Sequence, residues 1–395
     1  MSRTMKYSIV AICLVVSLAA IMVACSGGGS AAPAHGSVYR AYVADSSGQA
    51  IKGYVIDRTT GALVSTGSTG TTPLGTWPLQ VVADLSGRFV YTANTSDNTV
   101  SAFSINAVTV ALTSAGTSTT GGLTVFVNTD PLSRFLYAVS WNSSEGVAAF
   151  TINPSNGALT KTDCGGGAGC SGMNFAVGSV PYSNTAFDAA GKYAYLTLQG
   201  EGAVARFAID QTTGALSSKI TATAGASPGY VVIDPTGKFA YVANSGGDDV
   251  SAYTVSASTG TLSQIDCGGG AGCNGKNFSV GAGAFPSGLA TDLAGKFLYV
   301  ANANNNTVSA FTINGATGAL TPVAGSPYTI GAGANGCISV ATDPSGKFLY
   351  ATNYMNNYVA GFTINSATGE LSAMAGNPLA TGLQAYFIST TITSY

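Results

Sequence analysis

From residue 39 onward the chain alternates short apolar runs with polar turns, and the runs recur in a fixed order. One unit reads "SGLATD", a glycine-bearing turn, "KFLYVAN", a polar loop, "TVSAFTIN", and then "ATGAL", which leads into a fourth run. Short runs rich in β-branched and aromatic residues, bounded by Gly, Asn and Asp, predict strands. The third run is apolar on both alternating faces, which predicts a strand buried between two neighbouring sheets. The first run ends at an Asp followed by a turn and a Gly, as at Asp84/Gly87, Asp188/Gly191, Asp234/Gly237, Asp292/Gly295 and Asp343/Gly346. An Asp there accepts N–H bonds from the turn and the Gly supplies positive φ. At Asp130 the glycine place is taken by Ser133.

Aligned on the tyrosine of "YVAN", the units fall at Tyr42, Tyr91, Tyr137, Tyr195, Tyr241, Tyr299 and Tyr350, with spacings of 49, 46, 58, 46, 58 and 51. Periods of this size built from four short strands predict an all-β, seven-bladed β-propeller of four-stranded antiparallel blades over residues 39–395. The chain enters at "YRAYVAD", with no first strand before it, and "GLQAYFISTTI" lies where a first strand belongs, with no second strand after it. The C-terminal strand is therefore expected to complete blade one and close the ring, leaving no long open edge.

The first 38 residues read differently. Arg3 and Lys6 precede an uncharged run from Tyr7 to Ala24, then Cys25 and "SGGGSAAPAHGS". That order predicts an export signal over 1–24, a lipidated Cys25 and a Gly/Ser tether over 25–38; an uncleaved membrane anchor is the other reading. The expected location is the bacterial cell envelope, outside the cytoplasm. Charged residues make up only 8% of the chain and the net charge is −2, which gives no basic field for nucleic acid. A monomer without cofactor or metal is expected.

The cysteines support this picture. Cys164 and Cys170 bracket one "CGGGAGC" and Cys267 and Cys273 bracket an identical one, each inside one of the two long spacings. In an oxidising compartment these read as two small disulfide loops, with Cys337 left as a buried thiol; metal binding is the rival reading, although neither loop holds a histidine.

The repeated "D-P-x-G-K-F-x-Y-V-A-N…N-T-V-S-A-F…T-G-A-L" resembles the seven-bladed lactonase family, which includes the propeller-type 6-phosphogluconolactonases and YVTN-repeat surface proteins. The resemblance implies lactone hydrolysis, although the matching residues are the repeated structural ones.

Candidate chemistry has to come from residues that break the repeat. The sole histidine, His35, lies in the tether, so the body holds no Ser/His/Asp triad and no His-based metal site. "GAGCNGKN" imitates a phosphate loop but ends in Asn277 and lacks a strand-to-helix context. Six cations (Arg88, Arg134, Lys192, Lys238, Lys296, Lys347) fill one slot in six blades and read as architecture. Blade four departs most: Arg206 stands where the other blades have Ala or Gly, and Glu201 lies five residues earlier. This pair reads either as a local ion pair or as a catalytic base and an oxyanion-binding cation. The loops between second and third strands, which share a face with the blade connections, carry Asp45, Asp97, Glu145, Asp248, Asp249, Trp77, Trp141, Tyr354 and Tyr358. Of these, Trp77, Trp141, Asp248, Asp249, Tyr354 and Tyr358 are the expected ligand-binding set. The partner expected there is a carbohydrate, a sugar acid or a protein.

Overall fold

The apolar runs form strands that hydrogen-bond to their sequence neighbours, giving seven separate antiparallel sheets. The computed structural model describes residues 37–68, 76–107, 109, 111–141, 146–164, 170–171, 174–178, 184–270, 272–333, 335–380 and 385–394. Cys25 and Glu145 lie outside the described residues, as does the expected signal and tether up to residue 36.

In blade 5 the order from axis to rim is Pro228–Ile233, Phe239–Asn244, Asp249–Val255 and Leu262–Ile265. The other blades repeat it, and their innermost strands touch one another in sequence around a ring. The ring closes as expected. Ser37–Asp45 pairs on one side with Ala50–Ile56 and on the other with the innermost strand Ala385–Ser394, in a register running from Ser37↔Ser394 to Asp45↔Ala385. That last strand is also bonded sideways, by the Ser389 hydroxyl to Ala83 N–H and by the Thr390 hydroxyl to Thr342 C=O.

Two faces follow from this wiring. Turns joining first to second and third to fourth strands lie on one, called here the turn face. Loops joining second to third strands share the other, the loop face, with the blade-to-blade connections.

The repeated residues make the seams between blades. Each turn Asp accepts from two backbone N–H groups through one carboxylate oxygen: Asp234 Oδ1 takes Lys238 N–H at 2.9 Å and Phe239 N–H at 2.7 Å, and Asp84, Asp130, Asp188, Asp292 and Asp343 do the same. The tyrosine of each "YVAN" then reaches across to the "TG" turn of the next blade. Tyr137 donates to Gly214 C=O at 2.8 Å, Tyr241 to Gly318 C=O at 3.0 Å, and Tyr350 to Gly61 C=O at 2.7 Å across the closure. Gly318 is required twice over. Its φ is +75°, and a Cβ would sit 2.4 Å from the Phe239 ring that packs on it.

One seam is built differently. Blade 2 reads "INAVTVAL" and has no glycine at that turn, and blade 1 has Arg40 where the other blades have Phe or Tyr. Arg40 is fully buried and donates from Nη2 to Ala107 C=O at 2.6 Å. Among the described residues its Nε and Nη1 reach no geometrically good acceptor, and burial pushes the Tyr42 phenol beside it up to about 12, the neighbouring guanidinium pulling the other way. The two departures sit on opposite sides of one contact.

The cysteine loops belong to the rim of the ring and not to its loop face. In blade 5 the outermost strand pairs with Ala252–Val255 through Leu262–Ile265, leaves the sheet, and returns at Asn277–Ser279 to pair with Asp249 and Val250. The Cys267–Cys273 disulfide closes the excursion between those halves. The Cys267–Cys273 loop thus interrupts the outermost strand on the rim of blade 5; in blade 3, Leu159–Thr162 pairs with the third strand and Phe175 returns to pair with Val147. Cys164 is likewise disulfide-bonded, but the Cys170 side chain lies outside the described residues. Cys337 is a buried free thiol, and desolvation pushes it up to about 12, as expected of an inert core cysteine.

Candidate functional site

Each innermost strand begins on the loop face, and six of the seven carry a register shift near that end, at Pro78/Gln80, Thr124/Phe126, Pro228/Tyr230, Pro286/Gly288, Cys337/Ser339 and, in the closing strand, between Ala385 and Ile388. A bulge re-aims side chains. The Phe126 ring meets Phe387 edge to face at 5.5 Å and Tyr230 at 6.4 Å. These rings come from blades 3, 1 and 5, which are not neighbours, so their contact spans the axis of the ring. Leu79, Ile338 and Tyr386 pack against the same cluster. The result is an apolar floor across the channel, and burial pushes the Tyr230 hydroxyl up to about 12.

The loop face also carries large apolar side chains that face water. Trp77 (48% exposed), Trp141 (51%) and Phe285 (45%) are joined by Leu123 and Met355, all on the loop face. Tyr354 stacks on Tyr386 at 4.9 Å and 23°, linking this rim to the floor. Trp77 and Phe285 each precede a proline that starts an innermost strand, and each has positive φ, +61° and +54°. For bulky residues this backbone costs on the order of 1–3 kcal/mol and persists only where surroundings impose it. The surroundings are loop carboxylates. Asp97 accepts from both N–H and hydroxyl of Thr76, beside Trp77. Asp248 accepts from Gly283 N–H at 2.7 Å and Phe285 N–H at 2.9 Å.

The expected residues divide accordingly. Trp77, Trp141 and Tyr354 belong to this bowl, and Asp248 holds the backbone of Phe285. Asp249 is buried under the Cys267–Cys273 excursion, where its carboxylate accepts from the amides of Asn244 (2.6 Å), Asn274 (2.7 Å) and Asn277 (3.0 Å). Burial raises its carboxyl above the ordinary range despite those donors. Tyr358 is buried too, its hydroxyl accepting from Asn306 and Asn353.

Glu201 and Arg206 do not meet. Glu201 pairs with Lys219 of the outermost strand at 3.2 Å, both ends partly exposed. Arg206 donates to Ser218 C=O at 3.1 Å and to Thr259 C=O in the turn of blade 5, with its guanidinium 4.6 Å over the Tyr193 ring. Its bonds run to the turn side of the blade 4–blade 5 seam, so the local ion pair expected between these residues is replaced by two separate contacts. A cleft of ≈ 20 Å³ beside Arg206 has room for about one water. Among the described residues no group of three His, Cys, Asp or Glu side chains is placed to hold a metal ion.

The floor residues Phe126, Tyr230, Tyr386 and Phe387 escape a reading of the sequence. Each lies in a strand that alternates like every other, and only ring closure turns its side chain toward an axis. Phe285 carries a weak signal, since Trp77 precedes Pro78 as Phe285 precedes Pro286.

A closed seven-bladed ring with an apolar bowl on its loop face defines the class of the protein. The chain belongs to the lactonase family of seven-bladed β-propellers, whose profile it matches over residues 35–170 and 184–338. It is similar in fold to a candidate 6-phosphogluconolactonase from Bacteroides fragilis, with 20% identity, 89% of this chain and 98% of that chain covered, and a TM-score of 0.72. A second, from Bacteroides uniformis, gives 18% identity, 89% and 99% coverage and a TM-score of 0.71. The periplasmic gluconolactonase of Pseudomonas aeruginosa gives 15% identity, 87% and 98% coverage and a TM-score of 0.67. No curated protein matches the chain.

Proposed function

We propose that this chain is an exported, lipid-anchored lactonase-family propeller that binds an uncharged, unphosphorylated sugar or sugar lactone in the loop-face bowl. The observation that carries the reading is the set of exposed aromatics, Trp77, Trp141 and Phe285, on the same face as the apolar floor. Aromatic faces with a nearby polar rim suit the C–H faces of a sugar. Charge argues for a neutral ligand. The cations nearest this face, Lys52, Lys161, Lys219 and Lys276, lie on third or outermost strands or on the cysteine excursion. The first three are occupied by Asp45, Thr120 C=O and Glu201. A phosphorylated lactone would need cations nearer the axis.

Lactone opening is the second reading, favoured by family membership and by the periplasmic gluconolactonase among its structural neighbours. It needs a base and oxyanion donors. Asp97 and Asp248 already accept backbone N–H groups, and a phenol near 12 is a poor base at neutral pH.

Calorimetry with glucono-δ-lactone and gluconate, run beside a lactone-opening assay, separates the two. Binding of the neutral lactone without acceleration over buffer supports the binding reading, and turnover supports the second. Trp77→Ala should weaken lactone binding roughly threefold to tenfold, the loss of one stacked ring. Unchanged affinity would move the site away from the bowl.

A further inference from the structure

We infer that the turn face lies against an anionic lipid bilayer, so that the loop-face bowl points away from the membrane. This rests on the lipid anchor proposed above and goes beyond it by fixing an orientation.

The first observation is where the chain enters the ring. In six blades a turn joins the first strand to the second on the turn face. In blade 1 the same place is occupied by the backbone pair Ser37↔Ser394. The segment carrying Cys25 therefore attaches at the turn face. Only the eleven residues 26–36 separate Cys25 from Ser37. Whatever their conformation, they span at most about 36–40 Å, so an acyl chain on Cys25 keeps the junction at Ser37 within that distance of the bilayer.

The second observation is what that face presents. Leu85 (70% exposed), Leu132 (56%) and Leu293 (58%) stand at the tips of its first-to-second-strand turns. Beside the tips run the exposed cations Arg88, Lys192, Lys238, Lys296 and Lys347, with Arg134 half-buried. Among the described residues Lys192, Lys238, Lys296 and Lys347 make no side-chain hydrogen bond or ion pair, and they fall on four consecutive blades. The carboxylates are set back. Asp84, Asp130, Asp234, Asp292 and Asp343 are buried beneath the cations, with Asp188 half-buried. Exposed Asp57 and Asp210 are each held by N–H groups of their own turns, and Glu370 is half-buried. The outer layer thus offers ammonium groups and leucine tips, a surface suited to lipid phosphates and the upper acyl region. Such a surface is weak alone, but a short anchor makes its contact intramolecular.

The test uses the full chain, lipidated in a bacterial host and reconstituted on phosphatidylethanolamine–phosphatidylglycerol vesicles. A fluorophore is attached at Ala294→Cys on the turn face or at Asn304→Cys on the loop face of the same blade, and headgroup-spin-labelled lipid is the quencher. Several-fold stronger quenching at position 294 than at 304 is expected, and Leu85→Ser/Leu132→Ser/Leu293→Ser should reduce that difference. Failure of the protein to float with vesicles overturns the anchor and this inference together. Flotation with equal quenching, or stronger quenching at 304, overturns the orientation alone.

Discussion

Replacing Arg206 with Ala should cost stability and spare the ligand. The guanidinium makes two charge-assisted bonds, to Ser218 C=O and Thr259 C=O, and lies 4.6 Å over Tyr193. Bonds of that kind contribute roughly 1.5–3 kcal/mol each, and a partly desolvated cation–π contact about 1–2 kcal/mol. Against them stands the cost of a buried cation whose Nε has no partner among the described residues, several kcal/mol by the usual desolvation argument. The difference leaves Arg206→Ala about 1–3 kcal/mol less stable, because water in the adjoining cleft can satisfy the freed carbonyls only in part. For a chain of this size that is a fall of roughly 1–4 °C in Tm. Scanning calorimetry measures the fall, and lactone binding on the same samples measures the bowl. An unchanged Tm together with lost binding would refute the reasoning, since it would make Arg206 a ligand residue and not a tie between blades 4 and 5. Arg206→Met, which keeps the stem and removes the charge, should recover part of the loss through packing on Tyr193.

Two further outcomes follow from the excursion in blade 5. Cys267→Ser/Cys273→Ser releases a loop closed over a sequence separation of 6, worth about 2 kcal/mol by loop entropy, and should lower Tm without changing the blade signals in circular dichroism; an identical melting curve would show that the excursion is held by Asn274 and Asn277 alone. Burial raises the Asp249 carboxyl above its ordinary 3.8, so between that value and the raised one the folded chain binds a proton the unfolded chain has released. Lowering pH through that window should therefore stabilise the wild type relative to Asp249→Asn. Denaturant unfolding across mildly acidic pH measures this, and a wild type that loses stability relative to Asp249→Asn on acidification would contradict it.

The blades were legible because their signals are local. Tyr91 and its six counterparts, the turn aspartates, and the "TG" turns each specify a strand end or a seam within one repeat. Closure was legible too, since "GLQAYFISTTI" has no second strand to follow and "YRAYVAD" has no first. The cysteine excursions were harder. A strand that resumes for three residues at Asn277–Ser279 after leaving the sheet shows no period in the sequence. The Arg40 seam was available in principle, because the Phe slot and the missing glycine of "INAVTVAL" depart together, but each looks like noise until the two are known to touch. Glu201 and Arg206 misled for a plain reason. Neighbouring strand positions say nothing of which end of the blade a long side chain reaches, and Arg206 extends toward Thr259 while Glu201 stays with Lys219.

The pairing of Ser37–Asp45 with Ala385–Ser394 also sets an order in time. The ladder joins segments so distant that Ala83 and Ser389, bonded beside it, are 306 residues apart. Closing a loop of that length costs only about 5 kcal/mol, since the entropy grows with the logarithm of length. The distance therefore governs sequence of events more than final stability. Blade 1 starts translation with an unpaired edge, and that edge gains its partner only when the final innermost strand has been made. Until then the Phe126 and Tyr230 rings lack Phe387, and the chain remains an open arc. The export proposed above, as an extended thread, would be served by such wiring, because the step that locks the ring needs the last strand as well as the first.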